Sequence, residues 1–222
     1  MEKIISNNID AFEKYYNLLV EENEKYNLTS ITSKEEAFIK HFADSIYMNK
    51  IIDLNSIETL CDIGSGAGFP SLPLKIAYPH LKVTIIEPTL KRVNFMKMVV
   101  DMLGLENVCI INGRAEDVIK DYREMFDIVT ARALAQLPMF LELTASYAKV
   151  NGCLIAYKGS NYQEEIDLSK NALKVLNLEI SSVKTFDLDE NCGSRTLIKI
   201  DKKAKTNSKY PRRFAEIKKK TL

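Results

Sequence analysis

Three glycines within five residues, Gly64, Gly66 and Gly68, follow the carboxylate of Asp62 in the segment TLCDIGSGAGFP, residues 59–70. Glycine lacks a Cβ, so its backbone can adopt a positive φ angle and a ligand can lie directly against its amides. The short apolar run before the acid predicts a buried strand that ends in this glycine-rich loop. Such a loop is typical of a site that cradles a nucleotide or a related ligand.

The residues after the loop predict a helix over 71–77, because Pro70 and Pro73 suit the first turn of a helix. In the dinucleotide-binding fingerprint, glycines occupy the first, third and sixth places of the loop. Phe69 stands at the sixth place here, which argues against NAD or FAD as the ligand. The D-x-G-x-G-x-G pattern instead resembles motif I of the S-adenosylmethionine-dependent methyltransferases. A merely tight turn and another nucleotide ligand remain open at this point.

Further polar side chains are expected where later strands end. The run Lys82–Glu87 predicts a second strand whose final carboxylate could accept both hydroxyls of a ribose. In folds of this kind the loop after the third strand borders the adenine, so Ala115 and Glu116 are candidates for an adenine pocket. Arg132 and Lys158 follow the predicted fourth and fifth strands. Open α/β sheets bind ligands outside the carboxyl ends of their strands, so all these residues should share one edge.

A pair of side chains that precedes the glycine loop in the chain could also take part in chemistry. His41 and Asp44 lie three residues apart on one face of a predicted helix. They could form an acid–base pair. A hydrogen bond on the helix surface is favoured, because no nucleophile accompanies them.

The cysteines do not indicate a metal or redox centre. They stand at positions 61, 109, 153 and 192, without a C-x-x-C pair, and the chain has only 2 histidines. No metal site is therefore predicted. Three of the cysteines, Cys61, Cys109 and Cys153, fall within apolar runs and are expected to be small core residues.

The composition is that of a soluble globular protein, with 46% hydrophobic and 27% charged residues. No apolar run reaches membrane-spanning length, and the first residues, MEKIISNNID, lack a signal-peptide pattern. We therefore expect a cytoplasmic protein that does not contact a membrane.

The net charge of +1 hides a strong asymmetry along the chain. Residues 202–222 carry a net charge of +8, whereas residues 1–201 carry −7. A basic tail on an acidic body could bind a nucleic acid, and a merely solvated terminus is an equally open alternative at this point. An aromatic ring among cations could stack on a base. The candidate RNA contacts are Lys209, Tyr210, Arg212 and Arg213.

Deleting residues 205–222 is accordingly expected to remove RNA affinity while leaving cofactor binding intact. This expectation treats the tail as separate from the folded body.

The periodicity of the chain predicts three regions. Residues 1–55 form a helical N-terminal cap, with one helix over 1–26 and a second that begins after Thr32 or Ser33. Residues 56–201 form a Rossmann-like α/β domain, and residues 202–222 form the basic tail. Within the domain, Thr89 should cap the helix after the second strand, and Gly104 should end it. Later helices are expected over 134–148 and 164–176, and later strands over 107–111, 126–131, 153–159, 179–186 and 195–200.

Eight short motifs occur in an order that resembles one family. The chain is similar to the bacterial small-subunit ribosomal RNA guanine-N7 methyltransferases, the RsmG/GidB family, from about residue 27 to its C-terminal end. The motifs are NLTSI at 27–31, HFADS at 41–45, DIGSGAGFPSLPL at 62–74, KRVNF at 91–95, GRAED at 113–117, ARA at 131–133, YKG at 157–159 and KYPRR at 209–213.

The resemblance implies a class I S-adenosylmethionine-dependent methyltransferase fold, with a seven-stranded, mostly parallel sheet. It also implies S-adenosylmethionine as the cofactor, and the residues that would contact it are Gly64, Phe69, Ala115, Glu116 and Arg132. The residues alone add Asp62, Gly66, Gly68 and Glu87 to this set. Arg132 and Lys158 are the candidates for positioning the substrate.

The implied reaction transfers a methyl group to N7 of a guanosine in the decoding-site loop of 16S ribosomal RNA, either free or in a small-subunit particle. Guanine N7 has a lone pair and no proton, so in-line transfer needs no general base, only placement of the two reactants. A monomer without a protein partner is expected. The alternatives are a class I methyltransferase acting on another RNA, a protein or a small molecule, a nucleotide-binding oxidoreductase, and an RNA-binding module without catalysis.

Overall fold

The computed structural model describes residues 2–189 and 193–222. Within them the chain forms a seven-stranded sheet with the strand order β3-β2-β1-β4-β5-β7-β6. Strands β1 to β5 run parallel, and β7 is antiparallel to both β5 and β6. The predicted mostly parallel, seven-stranded sheet is confirmed. The strands are β1 Thr59–Ile63, β2 Lys82–Glu87, β3 Val108–Asn112, β4 Phe126–Arg132, β5 Ala148–Lys158, β6 Leu178–Asp189 and β7 Gly193–Lys202.

The strand order determines where a ligand can bind. The chain adds β2 and β3 on one side of β1, then returns to place β4 and β5 on the other side. The connections after β1 and β4 therefore diverge, which opens a crevice at the carboxyl ends of these two strands. Gly64 follows β1 and Arg132 ends β4, so the crevice lies between two of the predicted site regions.

Eleven α-helices occur in the part of the chain that the structure describes, and none of them combines the length and the apolar character needed to cross a bilayer. A π-helical turn, Phe38–Ala43, joins two of them. The helices are α1 Glu2–Asn7, α2 Ile9–Tyr26, α3 Lys34–Ala37, α4 Asp44–Ile46, α5 Ser71–Ala77, α6 Leu90–Leu103, α7 Ala115–Val118, α8 Leu137–Thr144, α9 Tyr162–Leu168, α10 Lys170–Val175 and α11 Phe214–Lys219.

Several predicted helices differ in extent. The first helix is interrupted at Asn8, whose backbone leaves the helical region at ψ 22°. The helix predicted over 134–148 is only α8, and β5 begins at Ala148. Ser33 caps α3 as expected, since its hydroxyl accepts from the amide of Glu36 at 3.2 Å. Thr89 occupies the N-cap position of α6 but makes no side-chain capping bond.

The N-terminal helices share a core with the sheet. Phe12 and Tyr15 of α2 are fully buried, together with Phe42 of the π-helical turn. They belong to the same apolar cluster as Leu60 of β1 and Ile85 of β2. The helical cap is therefore packed on the sheet through one continuous core.

The basic tail is folded onto the body of the protein as well. Lys202 is the last residue of β7, and its ammonium group is fully buried, donating to the carbonyls of Ala145 and Ala148. Tyr210 and Ile217 are buried in the apolar cluster on the second face of the sheet. We call residues 203–222 the C-terminal segment.

The burial of the cysteines depends on their positions in the sheet. Cys61 and Cys153 are buried, as predicted, but Cys109 is exposed. The expectation of a core position for Cys109 is wrong because β3 lies at the edge of the sheet, where the face that carries Cys109 is not covered. Cys192 lies outside the described residues.

Candidate active site

The glycine loop adopts the backbone that its sequence predicts. Gly64, Gly66 and Gly68 have φ angles of +72°, +63° and +94°. The amide of Gly64 donates to the carbonyl of Ile86 at 2.8 Å, and the amide of Gly66 donates to Oε2 of Glu87 at 3.0 Å. These bonds hold the loop against the end of β2, so a ligand at the loop also reaches the second strand.

Asp62 is buried beneath this loop. Its Oδ2 accepts from the hydroxyl of Ser65 at 2.6 Å and from the amide of Ser71 at 3.3 Å. Its Oδ1 is buried without a hydrogen-bond partner. Burial raises the pKa of Asp62 to about 7, although the two serines and the Arg132 charge act in the opposite direction. The carboxyl therefore has one buried oxygen whose hydrogen-bonding capacity no group in the described structure satisfies.

A small cavity of about 200 Å³ adjoins the loop. The predicted residues Gly64, Ala115 and Glu116 all line it. The hydroxyl of Tyr147 donates to the carbonyl of Ala115 at 2.6 Å, which fixes the start of α7. The other lining side chains are mostly apolar, and they include Ile63, Ile86, Leu134, Met139 and Phe214.

A large cavity of about 610 Å³ lies at the ends of β4 and β5. Ala133 and Ala135 line it, whereas Leu134 between them lines the small cavity. A three-residue segment thus separates the two cavities. Ala133 has a φ of +55°, in the left-handed region that residues other than glycine rarely adopt. The cationic side chains of the large cavity are Lys40, Arg132, Lys158 and Arg195.

Asp44 binds two of these cations. It is fully buried, and its Oδ2 lies 2.9 Å from Nη1 of Arg132. Arg195 forms a bidentate ion pair with the same carboxylate, with Nε 2.7 Å from Oδ1 and Nη2 2.9 Å from Oδ2. Arg132 also donates to the carbonyl of Lys40 at 2.8 Å. Asp44 therefore positions two guanidinium groups at the wall of the large cavity, and we call these three side chains the Asp44 triad.

His41 is a neutral member of the same wall. Its Nδ1 lies 3.2 Å from Nη2 of Arg132, and its Nε2 lies 3.0 Å from the hydroxyl of Thr29. Because arginine can only donate, Nδ1 must accept and the proton is on Nε2. Burial, followed by the Arg132 charge, lowers the pKa of His41 to about 3. The predicted surface hydrogen bond between His41 and Asp44 is wrong, because both side chains are buried and both contact Arg132.

Phe69 is enclosed by other rings. It is 4% exposed, with the His41 ring stacked at 4.4 Å and the Tyr15 ring at 5.5 Å between centroids. The Arg132 guanidinium lies 5.0 Å from its centroid. Because neighbouring rings and Arg132 surround it, the Phe69 ring connects the loop to the N-terminal helices.

Gly68 has a packing role. A Cβ at this position would lie 2.4 Å from the Tyr15 hydroxyl, which itself donates to the carbonyl of Ala67 at 2.5 Å. Gly104 also has a positive φ, +60°, but a Cβ there would meet nothing within 4 Å.

These two glycines make a matched pair for a stability measurement. Gly104→Ala should cost about 1 to 2 kcal/mol, the price of a left-handed alanine. Gly68→Ala should cost about 1 to 3 kcal/mol more, because the new methyl group overpacks against the Tyr15 hydroxyl and the Leu72 side chain. Urea unfolding of both variants measures the difference. Equal losses would contradict close packing behind Gly68.

Glu87 and Lys158 are both engaged in the described structure. Glu87 is 1% exposed, and its Oε1 accepts from the amide of Thr89 at 2.9 Å in addition to the bond from Gly66. The ammonium group of Lys158 lies 2.6 Å from Oε2 of Glu165 and donates to the carbonyl of Ala135 at 2.7 Å. Burial lowers the pKa of Lys158 despite the Glu165 carboxylate.

The four candidate RNA contacts divide into two pairs. Lys209 and Arg213 are exposed. Tyr210 is 6% exposed, so the predicted stacking face is not at the surface. Arg212 forms two short bonds to the buried carboxylate of Glu142, at 2.7 Å from Nε and 2.6 Å from Nη2. Tyr210 and Arg212 therefore anchor the C-terminal segment, because the apolar cluster and Glu142 occupy their side chains.

Three residues of this region were missed by sequence reasoning: Tyr15, Arg195 and Phe214. Arg195 is 151 residues from its partner Asp44, and Tyr15 is 52 residues from Ala67. No local spacing joins such pairs. The basic character of the C-terminal segment also concealed Phe214, which lines the small cavity.

Comparison with known proteins identifies the family. Residues 8–196 match the model of the family described as GidB, rRNA small subunit methyltransferase G. The chain is 49% identical to ribosomal RNA small subunit methyltransferase G of Streptococcus gordonii, covering 92% of this chain and 87% of the relative. It is 47% identical to the Staphylococcus epidermidis protein of the same name, covering 92% and 86%.

A solved structure supports the fold. The structure of M. jannaschii TYW2 in complex with AdoMet matches with a TM-score of 0.57 and 18% identity, covering 72% of this chain and 76% of that one. At that identity the likeness concerns the fold, which is that of the class I methyltransferases. The family model and the two relatives show that this chain belongs to the rRNA small subunit methyltransferase G family.

Proposed function

We propose that this protein transfers the methyl group of S-adenosylmethionine to N7 of a guanosine in the decoding-site loop of 16S ribosomal RNA. The observation that carries the proposal is the pair of cavities on either side of residues 133–135. One is small, mostly apolar and beside the glycine loop, and the other is large and cationic. A cofactor and a second substrate can thus meet at one segment.

The residues present fit the cofactor. The unpartnered Oδ1 of Asp62 suits a cationic group, and the small cavity suits a flat aromatic base. Glu87 accepts two backbone bonds, and a carboxylate has about four acceptor positions, so it can also accept ribose hydroxyls. When bound, S-adenosylmethionine supplies an electrophilic methyl group on a sulfonium centre.

The large cavity fits a guanosine nucleotide. Guanine presents N7 and O6 as acceptors, and arginine or lysine are their usual donors. Arg132, Lys158 and Arg195 provide such donors at the cavity wall. N7 carries no proton, so the protein needs to orient the base and to exclude water, not to remove a proton. The neutral His41 is consistent with this, because its Nδ1 accepts a hydrogen bond from Arg132 and its Nε2 donates one to the hydroxyl of Thr29.

RNA contacts beyond the target base would come from the exposed cations of the C-terminal segment, among them Lys209 and Arg213. If about four phosphates of a single strand are engaged, the logarithm of affinity should fall with the logarithm of salt concentration with a slope of roughly −3. A ribosomal substrate also implies a cytoplasmic reaction.

The test is methyl transfer from labelled S-adenosylmethionine to 16S ribosomal RNA and to small-subunit particles, followed by mapping of the labelled nucleotide. Label at N7 of one guanosine in the decoding-site loop is expected. Label in another RNA, a protein or a small molecule would favour the alternative class I methyltransferase. No transfer, with binding of NADH instead, would favour an oxidoreductase.

Asp62 should make cofactor binding depend on pH. A cation brought to its free oxygen favours the ionised carboxylate, so binding should release a proton below pH 7. With a pKa of about 7 in the free protein, affinity should rise about tenfold from pH 6 to pH 8. Calorimetry in two buffers of different ionisation enthalpy measures the released proton. The Asp62→Asn variant should lose the pH dependence, and a wild-type affinity that is equal at both pH values would refute this role.

A further inference from the structure

The small cavity is lined by an aromatic side chain that belongs to the C-terminal segment, not to the sheet or to the loops between its strands. Phe214 is the first residue of α11, and its half-buried side chain lines the cavity together with Gly64 and Ala115. The Arg114 guanidinium lies 5.4 Å from the centroid of the Phe214 ring. The ring thus has one cationic neighbour and also forms part of the cavity wall.

The C-terminal segment holds this ring in place through several buried contacts. Arg212, two residues earlier, is paired with the buried Glu142, and Ile217, three residues later, is fully buried. The Arg123 guanidinium donates to the carbonyl of Tyr210 at 2.6 Å. A side chain between such anchors forms a fixed wall, since neither flank can move without breaking a buried contact.

We propose that Phe214 is a cofactor-binding residue, and that its ring is the wall against which the adenine of the bound nucleoside stacks. The inference rests on the proposed function, because it takes the small cavity as the adenine site. Flat aromatic rings attract bases by stacking, and this attraction does not require hydrogen bonds. The basic segment that faces RNA therefore also builds part of the cofactor pocket.

The experiment measures the affinity of the full chain for S-adenosylmethionine and for methylthioadenosine, which shares the adenosine group, by calorimetry. Phe214→Ala should weaken both ligands by roughly 5- to 150-fold, the range seen when a base-stacking ring is removed. Phe214→Tyr should bind as the wild type does, because it keeps the ring. Phe214→Leu keeps apolar volume without a ring and should bind as weakly as the alanine variant. Asp101→Ala, on the exposed surface of α6, is the control and should leave both affinities unchanged.

The outcomes separate the two claims. If the wild type binds and Phe214→Leu binds within about twofold of it, the stacking role of Phe214 is refuted while the cofactor assignment stands. If the wild type binds neither ligand, the cofactor assignment fails and this inference fails with it. Thermal melting of each variant shows whether the chain is folded. If Phe214→Ala is unfolded, comparing the affinities of Phe214→Tyr and Phe214→Leu still tests the stacking role.

Discussion

Replacing Asp44 by alanine should lower the free energy of unfolding by about 3 to 5 kcal/mol, the usual cost of removing one partner from a buried ion pair. The carboxylate is fully buried, and the side chains of Arg132 and Arg195 are only 11% and 22% exposed. Without Asp44, two guanidinium groups would face each other with little water to screen them. Chemical denaturation measures the loss.

The same substitution should lower methyl transfer by about a hundredfold or more, because misplacement of a positioning group by about 1 Å has effects of that size. Arg132 and Arg195 would lose the group that aims them at the large cavity. Asp44→Asn keeps the shape of the side chain but loses its charge, and it should show the same defect at a smaller loss of stability.

The matched control is Asp101→Ala, on the exposed surface of α6, which should change stability by no more than about 0.5 kcal/mol. Adding Arg195→Ala to Asp44→Ala should recover part of the stability by removing one of the two opposed charges. A stable, fully active Asp44→Ala protein would show that Asp44 does not position Arg132 and Arg195.

Replacing Arg212 by alanine should destabilise the protein by about 3 kcal/mol, since it leaves Glu142 as an unpaired buried charge. Glu142 is fully buried and accepts three bonds from Arg212, two from the guanidinium and one from the backbone amide at 3.1 Å. For a chain of this length the melting temperature should fall by roughly 6 to 12 °C. Cofactor affinity should fall as well, because Phe214 loses its neighbouring anchor.

Arg213 provides the comparison, because it is adjacent, of the same type and exposed. Arg213→Ala should leave stability within about 0.5 kcal/mol of the wild type. It should weaken RNA binding and make the salt slope shallower by about 1 if it contacts one phosphate. Equal melting temperatures for the two variants would contradict the anchoring role of Arg212.

The Arg212→Ala and Arg213→Ala variants are a better test than the deletion of residues 205–222, which the sequence alone predicted would leave cofactor binding intact. The structure argues against that expectation, because the deleted part would include Tyr210 and Ile217 of the core and Phe214 of the small cavity. Truncation would expose apolar surface and leave Glu142 unpaired. Single exposed cations are therefore the suitable probes of RNA binding.

Much of the fold could be predicted from local patterns. The bounds of α5, β2 and the glycine loop agree with the prediction, and so does the stop of α6 at Gly104. These features depend on constraints that act over a few residues, such as a proline in the first turn or a glycine with positive φ. Ala115, Glu116, Arg132 and Lys158 also line the cavities at the predicted sheet edge, because the carboxyl ends of parallel strands meet there.

Local patterns in the chain were enough to predict the strand–loop–helix unit at Asp62, the order of strands and helices along the chain, and the positive charge of residues 202–222. The pairing of Asp44 with Arg195, the support of the glycine loop by Tyr15, and the packing of the C-terminal segment with Phe214 at the small cavity depend on the folded chain. The physical reason is the range of the interactions. Backbone preferences act between neighbours in the chain, whereas burial and charge pairing depend on which distant residues the fold brings together.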